Sequence, residues 1–405
     1  MKNLKKLLVL PVLLLLFSLI LVSCGQDTSD KTEQSQITLA LNAPTITLNA
    51  DTKTVSWSAV TNAKATDGYN IKITTESDVT IVTANVSGLM YTLPSDLTMG
   101  NYQISVRANG YETNTHIYTT SVYSTDYAYR VYASPLLWLV TSPQGQTMYM
   151  FGSIHAADAA LYPLPPYLMD AFNSSDYLAV EFNNSDIDSE WFDNQFRYTG
   201  GKTLIGDIGQ ELYDELVTFF AAFGIKPSDI DLNSYKPVYW SMALGQLSTM
   251  FSGLDYDYGL DSFFIEEALK LNMPILDIES AQSQVDMFLG FSMALQIMLL
   301  ESSFDIIGDA AAVEVLYDVW KRGNEDEFDA FLFVEVDENY EFLSLLEEYH
   351  NAMSTVRNII MFEAAKGYME AGMQVFYVVG AAHMFGEDGL IELLRQDGFT
   401  VEIVS

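Results

Sequence analysis

Two short motifs carry residue types and spacing suited to chemistry. Gly152-Ser153-Ile154-His155 follows the apolar run Met148-Tyr149-Met150-Phe151, and Gly380-Ala381-Ala382-His383 follows the apolar run Val375 to Val379. In each, glycine permits a sharp exit from a strand, so an imidazole three residues later can turn back over the strand end. The chain has only four histidines, and two of them share this context. Two such exits side by side would bring both imidazoles to one rim. Glu181 ends another apolar run, Tyr177-Leu178-Ala179-Val180, where a carboxylate beside a core is costly without a partner. Two imidazoles and a carboxylate are a common divalent-metal ligand set, and they leave positions open for water in hydrolysis. The bland alternative is that His155 and His383 simply hydrogen-bond within tight turns. Glu181 could be a metal ligand, a base activating water, or a cap for the loop that follows it.

Strands alternating with long amphipathic helices must position these groups. Apolar runs predict strands at 148–151, 177–180, 274–278, 375–379 and 400–404. Three- and four-residue apolar spacing predicts helices at 207–223, 236–252, 259–271, 281–303, 308–322 and 339–371. This is the pattern of an α/β or α+β domain, with a central sheet covered by many helices and its site at the strand ends. Other chemical groups fall near predicted element ends. Asp261 could cap its own helix or act at the site, and Glu279 could N-cap the helix starting near Ala281 or support the site. Arg357 lies in an apolar helical stretch, as a carboxylate clamp or a structural ion pair. His350 and the acidic runs Asn324–Asp329 and Glu335–Glu341 read as solvated surface, and His116 as a surface strand residue. The Met/Leu-rich stretch 287–300 reads as a buried helix or, less simply, a lid or partner groove.

Composition narrows the class. Among 405 residues, 54 acidic and 19 basic side chains give a formal charge of −35, with 49% hydrophobic residues. A surface this acidic repels a phosphate backbone, so nucleic acid is excluded as a partner. A single cysteine, Cys24, excludes an intramolecular disulfide framework and any Cys-based zinc site. Lys2, Lys5 and Lys6 precede an apolar run from Leu7 to Val22 that ends at Leu21-Val22-Ser23-Cys24. That run is short for a bilayer span and is placed like a signal-peptide core. Its end resembles the bacterial lipobox. The resemblance implies that residues 1–23 are a lipoprotein signal peptide and that Cys24 is the lipid attachment point. It also implies a protein anchored at the extracytoplasmic face of a bacterial cell membrane. Removing 1–23 leaves 16 basic against 54 acidic side chains, about −38. Residues 24–37 are polar and suit a flexible tether.

Residues 38–125 have a different texture, rich in Thr, Val, Ile and Tyr with period-2 alternation, as in Thr54-Val55-Ser56-Trp57 and Tyr102-Gln103-Ile104-Ser105-Val106. The stretch resembles an all-β fibronectin type III module with Trp57 in its core, which implies a spacer or binding platform. From 126 to 405 the chain resembles the TraB/GumN family, related to the Tiki metalloproteases. Three blocks carry the likeness, in order: LWLVTSPQGQTMYMFGSIHAADAALYPLPPYLMDAFNSSDYLAVEFN, then GLDSFFIEEALKLNMPILDIESAQSQ, then RNIIMFEAAKGYMEAGMQVFYVVGAAHMFGEDGLIELLRQDGFTVEIV. The resemblance implies a divalent metal (manganese, cobalt or zinc) at His155, His383 and Glu181, with a peptide or protein substrate. It also makes Asp261, Glu279, Arg357 and Asn358 supporting or substrate-binding positions. The expected function is a membrane-anchored metal-dependent hydrolase, most simply a peptidase. The competing expectations are a non-catalytic lipoprotein that binds a peptide, signal molecule or haem-like ligand, and a surface adhesion role for the β-rich module.

Overall fold

The structure, a computed structural model, describes residues 36–404 except 51, 184–187, 227–228, 308–309 and 334–341. Cys24, the signal segment, nearly all of the tether and the acidic run Glu335–Glu341 lie outside the described residues. The chain divides into two compact units. The first runs to Tyr127, apart from residues 75–79 and 94–103, which group with the second, from Ala128 onward.

The N-terminal region is strand-rich. It contains β1 (Ile37–Ala40), β2 (Ile46–Asn49), β3 (Thr54–Trp57), β4 (Tyr69–Thr75), β5 (Thr80–Val86), β6 (Met90–Thr92), β7 (Gly100–Ala108), β8 (Tyr111–Glu112), β9 (His116–Thr119) and β10 (Tyr127–Val131). These form sheets ordered β1-β9-β8, β2-β3-β6 and β10-β7-β4-β5. The alternation in β3 buries Val55 and Trp57 while Thr54 and Ser56 stay half-exposed, and Trp57 meets the Tyr69 ring at 5.6 Å. His116 is a half-buried strand residue stacked on Tyr118, its Nδ1 bonded to Thr115 Oγ1.

The C-terminal region is α/β. Its strands are β11 (Leu137–Thr141), β12 (Thr147–Ser153), β13 (Tyr177–Val180), β14 (Ile275–Asp277), β15 (Val375–Gly380) and β16 (Thr400–Val404). They form one mixed sheet, ordered β14-β13-β15-β12-β11-β16. The four strands β14, β13, β15 and β12 run parallel, while β11 pairs antiparallel with β12 and β16. All six residues of β15 are buried, as expected of a parallel strand covered on both faces. Strand β11 was not among the runs expected from the sequence. Its Leu-Trp-Leu-Val segment is almost wholly buried and shows no alternation.

The helices are α1 (Pro166–Asn173), α2 (Ser189–Gln195), α3 (Leu204–Ala222), α4 (Pro237–Phe251), α5 (Leu260–Leu271), α6 (Ala281–Gly290), α7 (Met293–Ile307), α8 (Ala310–Arg322), α9 (Glu325–Leu332), α10 (Leu343–His350), α11 (Val356–Glu370) and α12 (Leu390–Gln396). Phe151, Phe172, Phe264 and Phe376, from β12, α1, α5 and β15, form a fully buried cluster with ring centroids 4.9–6.2 Å apart. Such pairs add about 0.5–1.5 kcal/mol each beyond area burial, and this one pins α5 against the strands that carry both histidines. A second cluster, including Leu216, Trp240, Leu244, Leu295 and Leu300, joins α3, α4 and α7.

One expectation changes, and a second gains detail. The helix expected at 281–303 is broken into α6 and α7 at a bend of 96°. Ser292 Oγ accepts the Leu295 N–H at 3.1 Å and so starts a new helix, while the Glu348 carboxylate takes the Ser292 N–H and Oγ–H. The acidic run at 324–329 is helical: Asn324 caps α9, and Glu325, Asp326 and Glu327 occupy its first turn, where the dipole favours negative charge. Among the described residues no single helix is long and apolar enough to cross a membrane; the bent α6–α7 pair alone meets that test, by length and composition.

Candidate active site

Strand order decides which groups meet. Strand β15 lies between β12 and β13, with Ser153 opposite Gly380 and Val180 opposite Val378. The two Gly-x-x-His segments therefore leave adjacent parallel strands at the same sheet edge, and Glu181 leaves on the other side of β15. Strand β14 continues the row, with Val180 opposite Asp277, so Glu279 follows within two residues. Gly380 sits at the centre. A Cβ there would lie 3.2 Å from Glu181 Oε1, 3.5 Å from His155 Nε2 and 3.7 Å from His383 Cδ2, so glycine keeps the space between the three open.

Each imidazole is gripped at Nδ1. His155 Nδ1 donates to Asp261 Oδ2 at 2.8 Å, and Asp261 Oδ1 accepts from Ser153 Oγ at 2.7 Å. His383 Nδ1 donates to Asn358 Oδ1 at 2.6 Å, and Asn358 Nδ2 donates to the Asp388 carbonyl at 2.8 Å. Nδ1 anchored on a side-chain oxygen with Nε2 turned to the site is the way metal-binding histidines are held. His383 Nε2 faces Glu181 Oε1 at 3.8 Å. Asp261 reaches His155 because α5 starts against the His155 backbone: Leu260 N–H donates to the Ile154 carbonyl at 3.0 Å. A Cβ on Gly259 would fall 2.1 Å from the His155 carbonyl oxygen, so only glycine allows this approach.

The carboxylates are held by one guanidinium. Arg357 Nη2 donates to Glu181 Oε2 at 2.6 Å and to Glu279 Oε2 at 2.9 Å, and its Nε donates to Glu279 Oε1 at 2.9 Å. The other Glu181 oxygen accepts the Gly380 N–H at 2.7 Å. Glu279 also accepts from Gln284 Nε2. Both carboxylates are nearly buried, at 12% and 5% side-chain exposure, where unpaired charge is strongly disfavoured. A five-residue π-helical segment, Asn351–Thr355, leads into α11, and its Met353 carbonyl accepts Arg357 Nη1 at 3.3 Å. Such segments recur at functional sites.

The two imidazoles titrate in opposite directions. The Asp261 carboxylate beside His155 outweighs burial and raises that ring to about 9. Burial pushes His383 down to about 4, and Arg357 and His155 push the same way. Burial works against ionisation of Glu181, yet His383, Arg357, His155 and the Gly380 N–H pull it down to about 2. The His155 side chain is 63% exposed although protein surrounds it, because it lies on the floor of a cavity of about 470 Å3. That cavity is bounded by Phe182, Gln246, Tyr256, Phe288 and Met353.

The donor set fits a divalent ion in its chemistry: two imidazoles with Nε2 turned to the site, an ionised carboxylate, and an open centre over Gly380. Among the described residues no group of three or more His, Cys, Asp or Glu side chains is already disposed to hold a metal. Both Glu181 oxygens are engaged, by Arg357 and by Gly380, so the two imidazole Nε2 atoms are the nearest open positions, that of His155 once an ion displaces its proton.

The sequence-chosen residues His155, His383, Glu181, Asp261, Glu279, Arg357 and Asn358 all meet here. Several alternative roles do not hold. Ser280, not Glu279, caps α6, through a reciprocal capping box with Ser283. Gly259 stands at the cap position of α5, and Asp261 turns to His155 instead. Arg357 is both a carboxylate clamp and a buried ion pair. His350 is not simply solvated: its Nε2 pairs with Asp388 at 3.2 Å, and Thr355 Oγ1 donates to the same carboxylate. Ser153, Gln284, Thr355 and Asp388 were missed. Ser153 was legible as the hydroxyl within the first motif, whereas the other three are reached only through tertiary contacts.

The model of the TraB/PrgY/gumN family matches residues 136–403. Two proteins each described as "Uncharacterized protein YbaP", from Escherichia coli (strain K12) and Shigella flexneri, are 24% identical over 258 residues. That stretch covers 63% of this chain and 90% of each relative. No solved structure matches significantly. The family match spans well over half of the chain and contains every site residue named above, so this protein belongs to the TraB/PrgY/gumN family.

Proposed function

We propose that this protein is a metal-dependent hydrolase acting on peptide bonds, held by a lipid on Cys24 at the extracytoplasmic face of a bacterial membrane. The observation that carries the reading is the pair of imidazoles flanking Gly380, each anchored at Nδ1 and presenting Nε2 beside an ionised Glu181. His155 and His383 would hold a divalent ion such as manganese, cobalt or zinc, with Glu181 beside them as third ligand once it gives up a contact to Arg357 or Gly380. Bound there, the ion would supply Lewis-acid polarisation of a scissile carbonyl. Asp261 and Asn358 orient the two rings. Arg357 keeps Glu181 ionised, which suits an electrostatic or ligand role better than that of a base poised near neutrality. The cavity walls Phe182, Tyr256, Phe288 and Met353 offer apolar surface for the substrate beside the reacting bond. The strand-rich N-terminal region would serve as a fibronectin type III-like spacer or binding platform.

The test is metal content after chelator-free purification, with cleavage of quenched-fluorescent peptides under added Mn2+ or Co2+. Stoichiometric metal and cleavage, both lost in His155→Ala/His383→Ala, are the expected result. Metal-free protein that cleaves nothing under those conditions would defeat the hydrolase reading. It would leave the second one, a binding lipoprotein for a peptide, signal molecule or haem-like ligand, favoured by the two Glu181 oxygens already being engaged. Labelling with a radioactive fatty acid, lost in Cys24→Ala, tests the anchor.

A further inference from the structure

A second cavity of about 470 Å3 shares Gln284 and Arg357 as wall residues with the catalytic cavity. Its size lies in the ~300–1,000 Å3 range of ligand pockets. Its surface is supplied by Met287, Gly290, Phe291, Ala352, Val356 and Ile360. Val356 and Ile360 stand one helical turn apart on α11, the helix that carries Arg357 and Asn358, and each is 48% exposed. Together they continue the apolar wall of the groove to its open side. The polar groups at the rim are negative or already engaged. Asp286 accepts from Gln282, and Glu348 is bonded to Ser292. With a chain charge of −35, the rim disfavours an acidic occupant and accepts a neutral or basic one.

We propose that this groove is a distal substrate subsite, seating a large apolar side chain of the same peptide whose amide lies over His155 and His383. The inference rests on the peptidase reading of the catalytic cavity. The occupant follows from continuity: one extended chain crossing Gln284 and Arg357 passes from one cavity into the other. Met287 and Phe291 supply an adaptable apolar surface for its side chain. Gly290 provides the probe, because it lines the groove and a Cβ there meets nothing within 4 Å, so the backbone accepts a side chain at the groove wall.

The experiment uses the full chain in chelator, to prevent cleavage, with two fluorescein-labelled dodecapeptides, one leucine-rich in one half and the other carrying serine at those positions. Anisotropy should give at least about tenfold tighter binding of the leucine peptide, about 1.4 kcal/mol. Gly290→Trp and Ile360→Ser should each abolish most of that preference, and His155→Ala/His383→Ala should retain it. Equal affinity for the two peptides, or an unchanged preference in folded Gly290→Trp and Ile360→Ser, overturns the subsite. If no peptide is cleaved under Mn2+ or Co2+ but the preference and its loss are observed, the hydrolase reading falls while the groove stands as a binding site. Cleavage with a KM indifferent to Gly290→Trp gives the reverse.

Discussion

Replacing Arg357 with methionine isolates what one guanidinium does for this site. In the wild type it contacts Glu279 through Nε and Nη2 at 2.9 Å and Glu181 through Nη2 at 2.6 Å. Arg357→Met preserves much of the aliphatic packing but leaves two carboxylates at 12% and 5% exposure without their cation. Removing one partner of a buried pair costs about 3–5 kcal/mol, because the remaining charge is uncompensated. Two stranded carboxylates place this variant at the upper end, and protonation of either would limit the loss. Glu279→Gln should then be a rescuing change: Arg357→Met/Glu279→Gln carries one stranded carboxylate instead of two and should recover roughly half of the loss. Arg357→Lys should fall between, since a point charge cannot reproduce the planar fork that spans both carboxylates. The assay is urea unfolding followed by tryptophan fluorescence, to which Trp138, Trp191, Trp240 and Trp320 of the α/β region contribute. An Arg357→Met loss below about 1 kcal/mol, or no recovery on adding Glu279→Gln, would refute the reasoning.

Three further outcomes follow from the same geometry. Gly259→Ala sets a Cβ 2.1 Å from the His155 carbonyl oxygen; relieving that contact moves α5 by about 1 Å, at a cost of ~1–3 kcal/mol. Metal affinity measured by calorimetry should fall with it, and unchanged stability and affinity would count against the close approach. In chelator, the His155–Asp261 pair should add stability that is complete below pH 6.5 and lost as pH rises through about 9, because the folded-state pKa is raised. Comparing thermal midpoints of wild type and Asp261→Asn from pH 6 to 10 checks this; a constant difference would contradict it. Asn358→Leu removes the acceptor for His383 Nδ1 and should lower metal affinity by about 10–100-fold, while Asn358→Asp keeps an acceptor and should retain more; equal behaviour of the two would show that the oxygen does not matter.

The sequence alone determined the strand-end chemistry. Glycine three residues before each histidine, and an apolar run ahead of each motif and of Glu181, identify strand exits because backbone freedom and β-strand burial are local properties. The strand-rich N-terminal texture and the change to alternating strands and helices were legible for the same reason. Tertiary structure decided what the local pattern leaves open. The order β14-β13-β15-β12 is set by packing both sheet faces, and it alone brings Glu181, Glu279 and the two histidines to one edge. Whether Asp261 and Glu279 capped helices or served the site depended on groups more than 70 residues away, Arg357 and His155, which no local signal announces. The break between α6 and α7 was invisible in an apolar run, since its cap partner is Glu348 on another helix. Residue type and spacing thus named the reacting groups, while their hydrogen-bond partners and the grooves around them came from long-range contacts that depend on the whole fold.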